Sequence, residues 1–169
     1  MRGQMVLEDP RMTTPAIYKL SVVIPVYNEA KTVAATIERV KRADVGSLER
    51  EIIVVDDGST DRTLEALDGI DGIRVIAHDR NRGKGAAVKT GFAAASGDVV
   101  LIQDADLEYD PSDYKALLEP ILAGRVEVVM GSRFSKERPQ FFCPDGEKRA
   151  PFFTHYLGNL MIIWLTNLL

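Results

Sequence analysis

Short apolar runs alternate along the chain with segments of helical periodicity. Five runs rich in Val and Ile predict strands at residues 20–25, 51–55, 73–77, 98–103 and 126–130. Continuous apolar strands are typical of parallel sheets that are covered on both faces. The pattern therefore predicts an α/β fold: a Rossmann-like, doubly wound and mostly parallel sheet with helices on both faces.

The segments between these runs carry the apolar stripes of amphipathic helices. Apolar residues recur at i, i+4 and i+7 in two of them, namely Val33, Ile37 and Val40, and Val88, Phe92 and Ala95. This spacing places the side chains on one face of a helix, and that face is expected to pack on the sheet.

A third helix is predicted to begin at Asp110 and Pro111, because Asp can cap free amides and Pro is tolerated in the first helical turn. Pro120 is expected to kink or end this helix. Three of its side chains are expected in the core: Tyr114, Leu117 and Leu118.

Length, charge and cysteine content restrict the kinds of protein that this chain can be. The chain has 169 residues, of which 46% are hydrophobic, and this suits one domain with a sizeable core. A net charge of −4 argues against a nucleic-acid partner that needs a broad basic face. The single cysteine, Cys143, excludes an internal disulfide, so a reducing cytoplasm is expected.

Three parts are expected along the chain. Residues 1–18 lack a sustained period and are interpreted as a flexible leader. Residues 19–135 hold the predicted sheet and its helices, and residues 136–169 form a further segment rich in aromatic and aliphatic side chains. The apolar stretch at 157–169 is too short to cross a bilayer.

Polar clusters follow four of the five predicted strands. They are Pro-Val-Tyr-Asn-Glu at 25–29, Asp-Asp-Gly-Ser-Thr-Asp at 56–61, Asp-Ala-Asp at 104–106 and Gly-Ser-Arg at 131–133. In open α/β sheets, ligands bind beyond the carboxyl ends of the strands. A polar binding site at one edge of the sheet is therefore expected.

Asp104 and Asp106 are candidate metal ligands. They lie two residues apart directly after a buried strand, so both carboxylates can project toward the same side. Mg²⁺ and Mn²⁺ prefer oxygen ligands and leave places for water and phosphate oxygens. The alternative is that this Asp-x-Asp only ends the strand and solvates a turn.

Asp57 is a candidate ligand-binding residue. Asp-Gly-Ser is common in turns, and Ser59 or Asp61 can cap the next helix. Capping does not explain the adjacent carboxylates of Asp56 and Asp57, one of which is expected to accept hydrogen bonds from a nucleobase or ribose.

Two basic residues are candidates for phosphate binding. Lys84 lies in the Asn-Arg-Gly-Lys-Gly stretch at 81–85, where amides and the ammonium group can face an anion; a glycine-rich helix start with solvated basic residues is the alternative. Arg133 can grip two phosphate oxygens, with a surface role as its alternative. His78 has no partner at metal-ligand spacing, and no function is predicted for it or for Cys143.

Five motifs taken together resemble those of the family-2 glycosyltransferases. They are residues 21–29, 55–61, 81–91, 104–107 and 131–134. The sequence most resembles the branch of dolichyl-phosphate mannosyltransferases and polyprenyl-phosphate glucosyltransferases, which move a sugar from a nucleotide donor to a membrane lipid phosphate. The resemblance implies a GT-A fold, a UDP- or GDP-linked donor, transfer with inversion, and Mg²⁺ or Mn²⁺ as cofactor.

The resemblance also implies roles for individual residues. Asp104, Ala105 and Asp106 would hold the metal and the diphosphate, and Arg133 would contact phosphate on donor or acceptor. Lys84 is retained as a phosphate candidate. The nucleotide pocket would be lined by Pro25, Tyr27, Glu29, Val55 and Asp57.

The last segment is expected to form the acceptor side. Its 157–169 stretch is predicted to be helical, either as an interfacial helix on a bilayer or as a core helix without its partner, and the chain is interpreted as a truncated catalytic domain. The resemblance then implies an enzyme peripheral to the cytoplasmic membrane face. The alternatives are a transferase with a polysaccharide or other hydroxyl acceptor and a non-catalytic sugar-nucleotide-binding module.

Overall fold

A six-stranded sheet in the order β3-β2-β1-β4-β6-β5 forms the centre of the fold. The computed structural model describes residues 17–131 and the backbone of 161–164. The strands are β1 (Lys19–Val26), β2 (Glu49–Asp56), β3 (Arg74–Ala77), β4 (Val99–Ile102), β5 (Val128–Met130) and β6 (Met161–Trp164). The helices are α1 (Val33–Arg42), α2 (Thr63–Leu67), α3 (Lys84–Ala94) and α4 (Tyr114–Leu122), and a 3₁₀ turn (Pro111–Asp113) precedes α4.

Most of the sheet is parallel, which confirms the predicted α/β fold. β1 pairs in parallel with β2 on one side and with β4 on the other, and β3 pairs in parallel with β2. All five predicted strands are present, with ends that differ from the prediction by at most two residues. The carboxyl ends of β1, β2 and β4 therefore meet at one edge of the sheet.

The sixth strand corrects the prediction of a helix over residues 157–169. Residues 161–164 form β6, which pairs antiparallel with both β4 and β5. The backbone groups along these two strands need hydrogen-bond partners, and a strand between them supplies partners on both sides. The other residues of that stretch lie outside the described part of the chain.

One face of the sheet packs against α1 and α4. Alternate residues of β1 (Leu20, Val22, Ile24 and Val26) join this core, together with the fully buried stripe Val33, Ile37 and Val40 of α1. The amphipathic stripe predicted for α1 is thus confirmed. Among the described residues, no helix is long and apolar enough to span a membrane.

The start of α4 follows the predicted capping. The Asp110 side chain accepts a hydrogen bond of 3.0 Å from the Ser112 amide, and Pro111 opens the 3₁₀ turn. Tyr114 is buried, and its hydroxyl donates to Gln103 Oε1 at 2.7 Å. Pro120 lies inside α4 without ending it, because the next amides still find acceptors, including the bond from the Ala123 amide to the Glu119 carbonyl.

The other face of the sheet carries α3, and its packing differs from the prediction. The buried positions of α3 are Ala87 and Gly91, whereas Val88 and Phe92 are only partly buried. A Cβ atom placed on Gly91 would lie 2.2 Å from Cγ1 of Val23, a fully buried residue of β1. Small residues therefore face the sheet because the helix lies too close for larger ones.

Gly91→Ala is expected to lower the free energy of unfolding by about 1–3 kcal/mol, because the stiff Val23 side chain leaves no room for the added methyl group. Chemical denaturation followed by circular dichroism measures the loss. Gly85→Ala is the matched control, since nothing lies within 4 Å of a Cβ at that position of the same helix. It is expected to stabilise the fold by up to about 1 kcal/mol, and equal effects of the two substitutions would contradict the close approach.

Candidate functional site

A cleft of about 270 Å³ opens at the carboxyl ends of β1, β2 and β4. Eight of the residues singled out from the sequence line it: Pro25, Tyr27, Glu29, Asp57, Lys84, Asp104, Ala105 and Asp106. The lining also includes Val26, Asn81 and Ala87. Three of the four strand-end clusters thus converge on one site with the segment at 81–87, while most of the fourth cluster, at 131–133, lies outside the described residues.

Two of the predicted site residues are not among those that line the cleft. Val55 is fully buried and packs with Ile53 and Ala87 on the α3 face of the sheet. Its side chain therefore faces the core on the α3 side of the sheet, and its place in a nucleotide pocket stays a prediction. Arg133 lies outside the described residues.

The loops after β1 and β2 form one wall of the cleft and are joined by hydrogen bonds. Asn28 has a positive φ of 57°, a conformation that Asn tolerates better than most residues. Its side-chain Oδ1 accepts from the backbone amide of Thr60 at 2.8 Å, and its backbone amide donates to Ser59 Oγ at 2.9 Å. The Glu29 amide donates to Thr63 Oγ1 at 2.8 Å. These hydrogen bonds between the two loops fix the backbone that carries Tyr27 and Glu29.

The hydrogen bonds also show what the polar side chains of the turn after β2 contact. Of the two candidate helix caps, Ser59 accepts instead from the loop after β1. Asp61 does bind the start of α2, where its Oδ1 accepts from the Thr63 amide at 2.9 Å. Asp56 is buried, and its Oδ2 accepts from the Ser59 amide at 3.2 Å.

Asp57 acts as a buried clamp on the loop that precedes α3. Its carboxylate accepts from the Gly83 amide at 2.7 Å and from the Arg82 amide at 3.0 and 3.1 Å. The Nδ1 atom of His78 lies 2.6 Å from Asp57 Oδ1. Three protein donors thus already use the carboxylate that is expected to accept from a nucleobase or ribose, and that ligand contact stays a prediction.

His78 is the functional neighbour that the sequence analysis missed. Its ring is nearly buried and bridges Asp57 and the Thr90 hydroxyl, which lies 2.9 Å from Nε2. Its position in the sequence could have indicated this contact. His78 directly follows β3, so it lies at the same edge of the sheet as the polar clusters that follow the other strands. Asn81, which also lines the cleft, lies in the glycine-rich stretch already singled out.

The ionisation of Asp57 reflects this environment. Burial opposes the charged form, but the hydrogen bonds from the His78 ring and from the amides of Arg82 and Gly83 outweigh it. The pKa of Asp57 therefore lies below its ordinary value. The carboxylate remains charged in neutral solution and keeps its hold on the loop.

Gly58 lets the two loops approach each other closely. It has a positive φ of 71°, and a Cβ atom at this position would lie 2.4 Å from the backbone carbonyl carbon of Arg80. No other residue type fits both the conformation and the space. The Asp-Gly pair is therefore needed for the clamp as well as for the turn.

Asp104 and Lys84 form an ion pair inside the cleft. The Lys84 ammonium lies 2.6 Å from Oδ1 and 2.7 Å from Oδ2 of Asp104. Asp106 is exposed, and its Oδ1 accepts from the Glu108 amide at 3.0 Å. Asp104 thus binds a cation already, and both carboxylates are hard oxygen donors of the kind that Mg²⁺ and Mn²⁺ take. The residues present fit a divalent ion.

A family model described as glycosyl transferase family 2 matches residues 21–166. The chain belongs to this family. The assignment confirms the resemblance carried by the five motifs, and the solved structures that the chain is similar to confirm the GT-A fold.

Two curated relatives illustrate the likeness. The dolichol-phosphate mannosyltransferase of Pyrococcus furiosus is 40% identical over 121 residues, which cover 70% of this chain and 34% of the relative. The dodecaprenyl-phosphate galacturonate synthase of Rhizobium johnstonii is 34% identical over 125 residues, which cover 70% of this chain and 37% of the relative. The chain thus spans about a third of the length of these relatives.

One solved structure is also similar to this chain. It is glucosyl-3-phosphoglycerate synthase from Mycobacterium tuberculosis in complex with Mn²⁺, UDP and glucosyl-3-phosphoglycerate. The TM-score is 0.56 at 32% identity, and the match covers 66% of this chain and 42% of the other. The matched region has the length of the described fold.

Asp57→Ala is expected to lower the free energy of unfolding near neutral pH by about 3 kcal/mol, because His78 and two loop amides lose a charged acceptor. Chemical denaturation measures the loss. Asp79→Ala removes an exposed carboxylate from the bend after β3 and is expected to change stability by less than about 0.5 kcal/mol.

The loss in Asp57→Ala is expected to shrink in acid. Because the folded-state pKa is lowered, Asp57 stabilises the fold fully above the unfolded-state pKa of about 3.9 and loses this contribution as the pH falls through the folded-state pKa. A deficit of constant size from neutral pH down to about pH 3 would contradict the clamp.

Proposed function

We propose that this chain carries the donor site of a glycosyltransferase that moves a hexose from a UDP- or GDP-linked sugar to a polyprenyl or dolichyl phosphate. The observation that carries the proposal is the position of Asp104 and Asp106. They follow β4 and line the same cleft as the loops after β1 and β2, in a chain of glycosyltransferase family 2.

The wall formed by the loops after β1 and β2 would bind the nucleoside. The Tyr27 side chain is exposed to 43% and offers an aromatic surface beside Pro25. Glu29 offers its Oε1 atom as an acceptor for hydroxyl groups, while its Oε2 atom accepts from the Thr32 hydroxyl and its backbone is held by Thr63. Asp57 supports this site through the loop that it clamps and does not need to contact the nucleotide itself.

Asp104 and Asp106 would hold Mg²⁺ or Mn²⁺ together with the donor diphosphate. In the described part of the chain, no three or more His, Cys, Asp or Glu side chains form a metal cluster. Two carboxylates leave coordination positions for diphosphate oxygens and water, which is common for these ions. When bound, the ion neutralises negative charge on the nucleoside diphosphate leaving group.

The acceptor class is proposed from the relatives. The two curated relatives are named for different sugars, mannose and galacturonate, while both names contain a polyprenyl-type phosphate. A phosphate oxygen of such a lipid would attack the anomeric carbon as the bond to the nucleoside diphosphate breaks. This single displacement inverts the anomeric configuration. An anionic phosphate needs no side chain to remove a proton from it.

A lipid phosphate acceptor would bring the enzyme to a membrane surface. We therefore propose peripheral association with the cytoplasmic face, where nucleotide sugars are expected. The support for this location is the acceptor class in the names of the relatives. It does not rest on the helix predicted for residues 157–169, since 161–164 form a strand.

Asp106→Asn is expected to abolish metal-dependent nucleotide binding and to leave the fold intact. Asn keeps an oxygen that can accept from the Glu108 amide but loses the charge that a divalent ion requires. Calorimetric titration with UDP and with GDP, each with and without Mn²⁺, measures the effect. Asp79→Asn, a matched change at an exposed residue, is expected to bind like the parent chain. Failure of the parent chain to bind either nucleotide would overturn the proposal.

The acceptor is tested by sugar transfer to phospholipid vesicles that contain polyprenyl phosphate. With the nucleotide sugar whose base binds, we expect labelled hexose in the lipid fraction and none when polyprenyl alcohol replaces the phosphate. Glucosyl-3-phosphoglycerate synthase, which has also been solved in complex with phosphoglyceric acid, makes this compound the natural competing acceptor. Transfer to this acceptor and not to the lipid would contradict the lipid assignment while retaining the donor site.

A further inference from the structure

The ion pair between Lys84 and Asp104 has a specific geometry. The ammonium lies within 2.7 Å of both carboxylate oxygens, so it occupies the face of Asp104 that a metal ion would use. The Lys84 side chain is 55% exposed, whereas that of Asp104 is only 16% exposed. The lysine can therefore leave toward solvent, while the aspartate stays in place.

We propose that Lys84 is an exchangeable internal cation that competes with the divalent ion for Asp104 and is transferred to the donor diphosphate when the ion binds. The proposal rests on the donor site proposed above. A divalent ion that binds the same carboxylate oxygens must displace the ammonium. The displaced ammonium remains in a cleft that is receiving a diphosphate, and pairing with phosphate oxygens then restores its interaction.

The position of Lys84 limits where the displaced ammonium can go. Lys84 is the first residue of α3, and the preceding amides of Arg82 and Gly83 are bound by Asp57. The backbone of this residue is therefore held, and only the side chain is free to move between partners. Its two alternative partners, the Asp104 carboxylate and the proposed donor diphosphate, lie in the same cleft.

This exchange couples the binding of metal and donor. Without nucleotide, the ion gains Asp104 only by breaking the ion pair, so its affinity is reduced. With nucleotide present, the Lys84 ammonium can pair with the diphosphate. This second interaction offsets the free energy that is lost when the ion pair with Asp104 breaks. Reciprocally, the ion is expected to raise the affinity for nucleotide by the same factor.

The test is Mn²⁺ binding measured by electron paramagnetic resonance, with and without UDP or GDP, on the full chain. Lys84→Met is expected to bind Mn²⁺ alone about two- to fivefold more tightly than the parent chain, the range for loss of a partly exposed competing ion pair. The nucleotide-induced gain in Mn²⁺ affinity is expected to fall by about tenfold, because the variant lacks the phosphate partner.

Two variants serve as controls. Lys89→Met removes the same charge from an exposed position of the same helix, and it is expected to leave both Mn²⁺ affinities within about twofold of the parent. Lys84→Arg keeps a cation that can pair with Asp104, so it is expected to bind free Mn²⁺ as weakly as the parent chain.

The outcomes separate this inference from the proposed function. If the parent chain shows Mn²⁺-dependent nucleotide binding but Lys84→Met binds free Mn²⁺ no better than the parent or than Lys89→Met, the exchange is wrong and the donor site stands. If the parent chain shows no Mn²⁺-dependent nucleotide binding, the donor site and the exchange are both overturned. Tighter Mn²⁺ binding in Lys84→Met together with reduced coupling supports the exchange.

Discussion

The buried carboxylate of Asp57 holds the functional edge of the sheet together. It stands at the carboxyl end of β2 and accepts hydrogen bonds from the ring that follows β3 and from two amides that precede α3. Segments that are distant in sequence thus share one acceptor. The same bonds bring Lys84, the first residue of α3, to the cleft that contains Asp104. The charge arrangement of the cleft therefore depends on a hydrogen-bond network beneath it.

Much of this arrangement could be predicted from the sequence because parallel strands impose it. Apolar runs without alternation indicate strands that are buried on both faces, and the carboxyl ends of neighbouring parallel strands share one edge. Any polar cluster that directly follows such a run must then lie near the others. Strand direction and order, without side-chain packing, therefore suffice to place residues as far apart as Glu29 and Asp106 in one cleft.

The features that could not be predicted depend on pairing between distant segments. The contact of His78 with Asp57 follows from the β2–β3 register, in which Asp56 is opposite Ala77, and no local pattern encodes that register. The family resemblance places Val55 in the pocket by its position in a motif, but the direction of its side chain is set by the pleat, which turns it toward α3. Residues 161–164 are a strand because two other strands lie beside them.

The strand order and register also determine how far apart the carboxyl ends of β4 and β5 lie. β6 lies between β4 and β5, and its register places Leu101 opposite Ile162 and Met130 opposite Met161. β4 and β5 therefore run in the same direction and end at nearly the same level, about 10 Å apart, or two strand spacings. A single displacement requires the leaving group and the nucleophile on opposite sides of the sugar ring. With Asp104 and Asp106 following β4 and lining the cleft, the leaving group of the proposed transfer lies at the end of β4.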